Sequence, residues 1–148
     1  MIDLSILTIK KAHEDMKSGK YSAVDLAKAY LEEISKKNKE INAYLEVYSD
    51  VLVQAEEADK RFKNGTATIL TGIPFAIKDN ILIKGRMASS ASKILENYHA
   101  SYDATVIEKL KKENVVFLGR TNMDEFAMGG STEKSAYGPT RNPRDTDR

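Results

Sequence analysis

Residues 1–65 carry their apolar side chains at helical spacing. Ile6, Ile9, Ala12, His13 and Met16 fall on one stripe, with Ser5 placed to cap it and Gly19 to stop it. Ser22 followed by Asp25 has the form of a capping box, and Val24, Ala27, Leu31 and Ile34 recur behind it with Tyr30 alongside. A third helix is predicted from about Asp50 through Leu52, Ala55, Ala58, Arg61 and Phe62 to the stop at Asn64-Gly65. Between the last two, Ile41 to Tyr48 is short, β-branched and aromatic, and reads as a strand.

From residue 66 the pattern changes. Ile69 to Ile83 is nearly continuous in apolar residues, which predicts a strand covered on both faces. Asp103 is placed to cap a helix bearing Val106, Ile107 and Leu110, and Val115 to Leu118 reads as a second buried strand stopped by Gly119. Strand, helix and strand at this spacing predict a βαβ unit with a right-handed crossover. Thr121 and Asp124 offer a further capping box for a short turn through Phe126. The predicted fold class is α/β, with N-terminal helices followed by a βαβ part of a mixed sheet.

Two or three strands with apolar faces leave hydrophobic surface without a cover. After Ala127 the residues are small and polar, and 141–148 contains no aliphatic or aromatic side chain. The chain reads as interrupted: a helical part over 1–65, then the start of an α/β core over 66–148.

Composition narrows the partners. With 23 Lys+Arg against 22 Asp+Glu, no global field draws nucleic acid or an acidic membrane. Lysine-rich pieces such as Lys36-Lys37-Asn38-Lys39 are interleaved with acids and read as solvated helix faces. The absence of cysteine removes disulfides, thiolate metal sites and a cysteine nucleophile together. No apolar run approaches the roughly 18 residues that suggest a membrane span, and the acidic N-terminus resembles neither a signal nor a transit peptide. A cytoplasmic location is expected.

Lys78 is the first candidate for chemistry. Ile73, Phe75 and Ile77 lead up to it and Ile81, Leu82 and Ile83 follow, so the expectation is an amine shielded from water. A buried lysine with a depressed pKa can act as a general base near neutral pH. The competing reading is a strand-end lysine snorkelling to solvent, with Asp79 as a simple ion-pair partner. The second candidate is the loop Met128, Gly129, Gly130 and Ser131, whose glycines would let backbone groups approach a ligand closely. It is equally readable as a plain turn. His13 lies on an apolar stripe, His99 in a loop without metal-ligand spacing, and Arg141 and Arg144 in a polar tail. No metal site is expected.

Four stretches carry a resemblance: Gly72-Ile-Pro-Phe-Ala-Ile-Lys-Asp-Asn-Ile81, Tyr102-Asp-Ala-Thr-Val106, Gly119-Arg-Thr-Asn-Met-Asp-Glu-Phe-Ala-Met-Gly129 and Tyr137-Gly-Pro-Thr-Arg-Asn-Pro143. Together they resemble the amidase-signature family. The run from Asn122 to Gly129 is most similar to the A-subunit branch of bacterial glutamyl-tRNA(Gln) amidotransferases. The resemblance implies a Ser–cis-Ser–Lys triad in which a lysine, matched by Lys78, works through a bridging serine on a nucleophilic serine. It also implies that Met128 to Ser131 lines the substrate pocket. The bridging serine would lie in a Gly/Ser-rich segment just beyond Arg148 and the nucleophile and oxyanion donors downstream as well, so the 148-residue chain is expected to be inactive alone.

Further implications come from the same resemblance. Glutamine would be the substrate, B and C subunits the partners, and Glu-tRNA(Gln) would be met through the complex. No cofactor is bound by this chain; ATP and Mg are used by the B subunit. Two departures stand out: Gly130 where the branch usually has serine, and Arg144 where it usually has tryptophan. Two other readings stay open: another amidase-signature hydrolase acting on a small free amide, and a non-catalytic piece that docks on partner subunits.

Overall fold

The computed structural model describes residues 2–147. Helix α1 spans Ile9–Lys17 and helix α2 spans Ala23–Ile41. The expected capping box of α2 is formed: the Ser22 hydroxyl accepts from the Asp25 amide at 3.0 Å while the Asp25 carboxylate accepts from the Ser22 amide at 2.9 Å. Donors orphaned at the helix start are thereby satisfied. Helix α3 (Val51–Lys63) adds to the same cap, because its Asp59 accepts the Ala23 and Val24 amides at 2.7 and 3.3 Å. The two helices pack together, and Ala23, Ala27, Ala55 and Ala58 are fully buried. Small side chains allow the backbones to come close.

The start of α1 differs from the expectation. Thr8 caps it, while Ser5 bonds to Asp3 and Ile6 stays outside the helix and exposed. His13 leans on the Phe62 ring with centroids 5.5 Å apart, a packing role. Asp103 likewise does not cap α4 (Thr105–Lys112). It accepts the Lys84 amide at 2.7 Å and pairs with Lys111.

Three strands form one mixed sheet. β1 (Tyr44–Val47) runs antiparallel and β2 (Pro74–Lys78) parallel to the central β3 (Val116–Thr121), in the order β1-β3-β2. The β2–α4–β3 unit has the expected order, with β2 and β3 parallel. The apolar run from Ile69 to Ile83 yields only the five residues of β2, because turns close on either side: Ile73 N–H bonds Leu70 O and Ile81 N–H bonds Lys78 O. As an edge strand β2 is covered on one face alone. Ile77 is buried, whereas Ala76 and Lys78 are exposed.

The strand apolar on both faces is β3. Val116 through Arg120 are buried, and the strand continues past Gly119. Register slips on both sides meet near Gly119, which pairs with Val47 and with Ala76. A Cβ there would lie 2.1 Å from the Glu46 carbonyl oxygen, so only glycine lets β1 approach. Gln54 of α3 also holds β3, accepting the Phe117 amide at 2.8 Å and donating to its carbonyl at 3.2 Å. Among the described residues no helix is long and apolar enough to cross a membrane.

Candidate active site

Both parallel strands end at the same level, with Lys78 paired to Thr121. The Lys78 side chain is exposed, and no hydrogen bond or ion pair holds its amine among the described residues. The expected shielding is therefore not met. Burial of Ile73 and Ile77 on one side of β2 says nothing of the other side, where the described residues place no cover.

Asp79, the next residue, points the opposite way and is 1% exposed. Its carboxylate does not pair with Lys78. One oxygen accepts the Ser89 amide at 3.0 Å and Arg120 Nη1 at 2.9 Å. The other accepts the Ala91 amide at 2.8 Å and the Ser89 hydroxyl. Arg120 in turn donates from Nε to Glu46 at 2.8 Å. Burial pushes the Arg120 guanidinium down, but the Glu46 and Asp79 carboxylates outweigh it and hold its pKa above the usual arginine value. A buried ion pair of this kind survives because its remaining lone pairs are also bonded.

The carboxylate faces an unusual corner. Ser90 and Ala91 both have positive φ, 49° and 50°, which costs residues with a Cβ about 1–2 kcal/mol each. Their carbonyls are used in turn: Ser90 O accepts from Phe126 N–H and Ala91 O from Ala136 N–H, both at 3.0 Å. Ser92, also buried, donates to Glu125.

The candidate loop is tied by a second carboxylate. Asp124 makes no capping box with Thr121; a short 3₁₀ turn at Glu125–Ala127 follows instead. Its oxygens accept the amides of Ser131 and Thr132 at 3.0 Å and of Lys134 at 2.9 Å. Those amides, Lys134 first and then Thr132, hold the Asp124 carboxyl below the usual aspartate range despite its burial. Gly129 lies against this carboxylate, where a Cβ would fall 2.5 Å from it, whereas a Cβ on Gly130 would meet nothing within 4 Å. Met128 to Ser131 are all exposed.

Two asparagines anchor the following segment. Asn42, at the end of α2 with φ 56°, donates to the carbonyls of Tyr137 and Gly138 at 3.0 and 3.1 Å. Asn122 donates to Gly138 O at 2.8 Å and accepts from the Ser135 hydroxyl at 2.6 Å. Among the described residues the exposed His99 ring bonds Asn97 O and the Arg141 guanidinium reaches Thr146 O, so neither side chain joins this cluster, although the Arg141 amide donates to Ile41 O at 2.8 Å.

Lys78 and the Met128–Ser131 loop are thus connected through Asp79, Ser90 and Phe126. Sequence reasoning picks out the two ends of this path but not the middle. The signal that could have found it is Arg120, a charged residue within an otherwise apolar strand. A groove of about 840 Å³ lies elsewhere, between the N-terminal segment, α2 and β1, lined by Leu4, Tyr30, Ile34 and Tyr44 among others.

The family model described as Amidase matches residues 25–148. The chain belongs to the amidase family. It is 51% identical over its whole length to the A subunit of glutamyl-tRNA(Gln) amidotransferase from Dehalococcoides mccartyi, covering 31% of that protein. Identity to the corresponding Thermoanaerobacter pseudethanolicus protein is 47%, over 99% of the chain and 30% of the relative. Among solved amidase structures, it is similar to the A subunit of the Thermotoga maritima glutamyl-tRNA(Gln) amidotransferase (TM-score 0.73, 38% identity, 100% of this chain and 30% of that one). It is also similar to the native peptide amidase of Stenotrophomonas maltophilia (TM-score 0.87, 28% identity, 96% of this chain and 31% of that one). The chain therefore spans about three-tenths of the length of the curated relatives it matches. Amidase-family identity and an α/β fold with a mixed sheet agree with the expectations from sequence.

Proposed function

We propose that this chain is the N-terminal part of a glutamine-hydrolysing subunit that supplies ammonia for converting Glu-tRNA(Gln) to Gln-tRNA(Gln). The observation that carries the proposal is the 51% identity to an amidotransferase A subunit over the whole length of the chain. Lys78 would serve as the triad base. The uncovered face of β2 is where the amine would meet serines contributed by further sequence. Met128 to Ser131 would line the glutamine pocket, with Asp124 holding their backbone in place. Cytoplasmic B and C subunits would be the partners, with ATP and Mg used by the B subunit, none by this chain.

Alone, the 148-residue chain lacks the Gly-Gly-Ser-Ser-Gly-Gly-Ser stretch that would supply the bridging serine, and the nucleophilic serine would lie further on still. No ammonia release from glutamine is expected from it. In a complete subunit containing this segment, Lys78→Ala should lower kcat by about 10²–10⁴-fold. Glutamine turnover by the purified 148-residue chain, abolished by Lys78→Ala, would overturn its inactivity. A complete subunit indifferent to Lys78→Ala would overturn the lysine's role.

The higher TM-score to the peptide amidase favours a second reading, an amidase acting on another amide. Co-purification of the complete protein with B- and C-type partners decides for the first reading. Hydrolysis of a peptide amide without such partners decides for the second.

A further inference from the structure

We propose that Asp79 is a positioning residue that sets the Met128–Ser131 loop relative to Lys78, acting through the Ser89–Ala91 corner. The proposal rests on the reading of Lys78 and that loop as parts of one site. Asp79 follows Lys78 directly, and its amide bonds Thr121 O at 3.1 Å, which locks the end of β2 to β3. Its buried carboxylate takes two backbone amides, one hydroxyl and one guanidinium N–H. Four donors converging on one carboxylate hold the corner's backbone in a conformation that L-residues avoid when unsupported.

That conformation has a use. With Ser90 and Ala91 in the left-handed region, their carbonyls meet Phe126 N–H and Ala136 N–H. These two amides bracket the candidate loop on either side. Asp124 gives the loop its internal shape through Ser131, Thr132 and Lys134, but makes no bond to the strand that carries Lys78. The corner therefore supplies the registration between amine and loop, and Asp79 supplies the corner. Glu46 and Arg120 extend the same network to β1.

Asp79→Asn tests this in the 148-residue chain. The amide keeps one acceptor oxygen but presents NH₂ where the Ala91 amide and Ser89 hydroxyl now donate. Amide exchange read by NMR should then quicken about tenfold at Phe126 and Ala136, as well as at Ser89 and Ala91, while Leu26 and Ala55 stay unchanged. The Met128 methyl and Lys78 Cε resonances should shift together. Adding Ser90→Gly and Ala91→Gly to Asp79→Asn should restore protection at Phe126 and Ala136, because glycine adopts positive φ without support.

Unchanged exchange at Phe126 and Ala136 in Asp79→Asn would overturn the proposal. So would a loss, local or chain-wide, that the glycine pair fails to reverse. These readouts do not depend on amide hydrolysis. A complete subunit insensitive to Lys78→Ala would therefore sink the functional reading and leave the registration standing.

Discussion

Gly119→Ala should break the sheet at its centre, and the size of the effect follows from the geometry. The added methyl would sit 2.1 Å from the Glu46 carbonyl oxygen and 3.1 Å from Val47 Cα. Carbon and oxygen approach no closer than roughly 3.3 Å in weak C–H···O contacts, so β1 must retreat by about 1 Å. Its bond from Tyr48 N–H to Leu118 O is now 2.9 Å, and such a retreat takes it beyond hydrogen-bonding range. Overpacking costs about 1–3 kcal/mol and each lost backbone bond about 1 kcal/mol. The lower unfolded-state entropy of alanine returns only about 0.4–1 kcal/mol. A net loss of about 2 kcal/mol results.

Urea unfolding followed by far-UV circular dichroism and tyrosine fluorescence reads this directly, since the chain has seven tyrosines and no tryptophan. With a slope of about 2 kcal/mol/M, the midpoint should fall by about 1 M. Gly130→Ser is the matched control. A Cβ there meets nothing within 4 Å, so stability should stay within about 0.5 kcal/mol. A Gly119→Ala midpoint within about 0.3 M of the parent would refute the steric argument, as would an equal fall for Gly130→Ser.

Two pH effects follow from the buried groups. The Asp124 carboxyl is depressed in the folded chain, so its contribution is present above the unfolded value of about 3.9 and lost as pH falls through the lower folded value. Protection of the Ser131, Thr132 and Lys134 amides should disappear over that acid range, and a carboxyl titration midpoint at or above the free aspartate value would contradict it. Burial raises the Tyr48 phenol to about 12, against the opposing Arg86 guanidinium 3.8 Å from its ring centroid. Tyr48 therefore stabilises fully below about pH 10 and progressively less as pH rises towards 12. Burial also raises Tyr21, Tyr30 and Tyr44, so phenolate absorbance should show a late-ionising group from which Tyr48→Phe removes one tyrosine's share; no such difference would count against its burial.

Local chemistry was legible wherever it acts within a few residues. The Ser22–Asp25 cap, the Asn64-Gly65 stop and the βαβ connection all read directly from spacing. Strand cover was less so, because an apolar run does not say which strand lies at the centre. The two-faced cover assigned to Ile69–Ile83 belongs to β3, and Lys78 ends on the open side of an edge. Caps failed where a long-range partner competed for the carboxylate, as Lys111 does for Asp103 and the Ser131–Lys134 amides do for Asp124. The Asp79–Arg120 pair was invisible for the same reason. Its members are 41 residues apart, joined only once β2 and β3 lie side by side.

The pairing of β1 with β3 also sets an order of events during synthesis. The α2–α3 pair is complete by residue 63, and Asp59 can already cap α2. Tyr44 to Val47 must wait, however, for partners at 119–121 to leave the ribosome. Until then an unpaired ribbon stands beside finished helices, so this contact order makes the sheet the slow, aggregation-exposed step of the nascent chain.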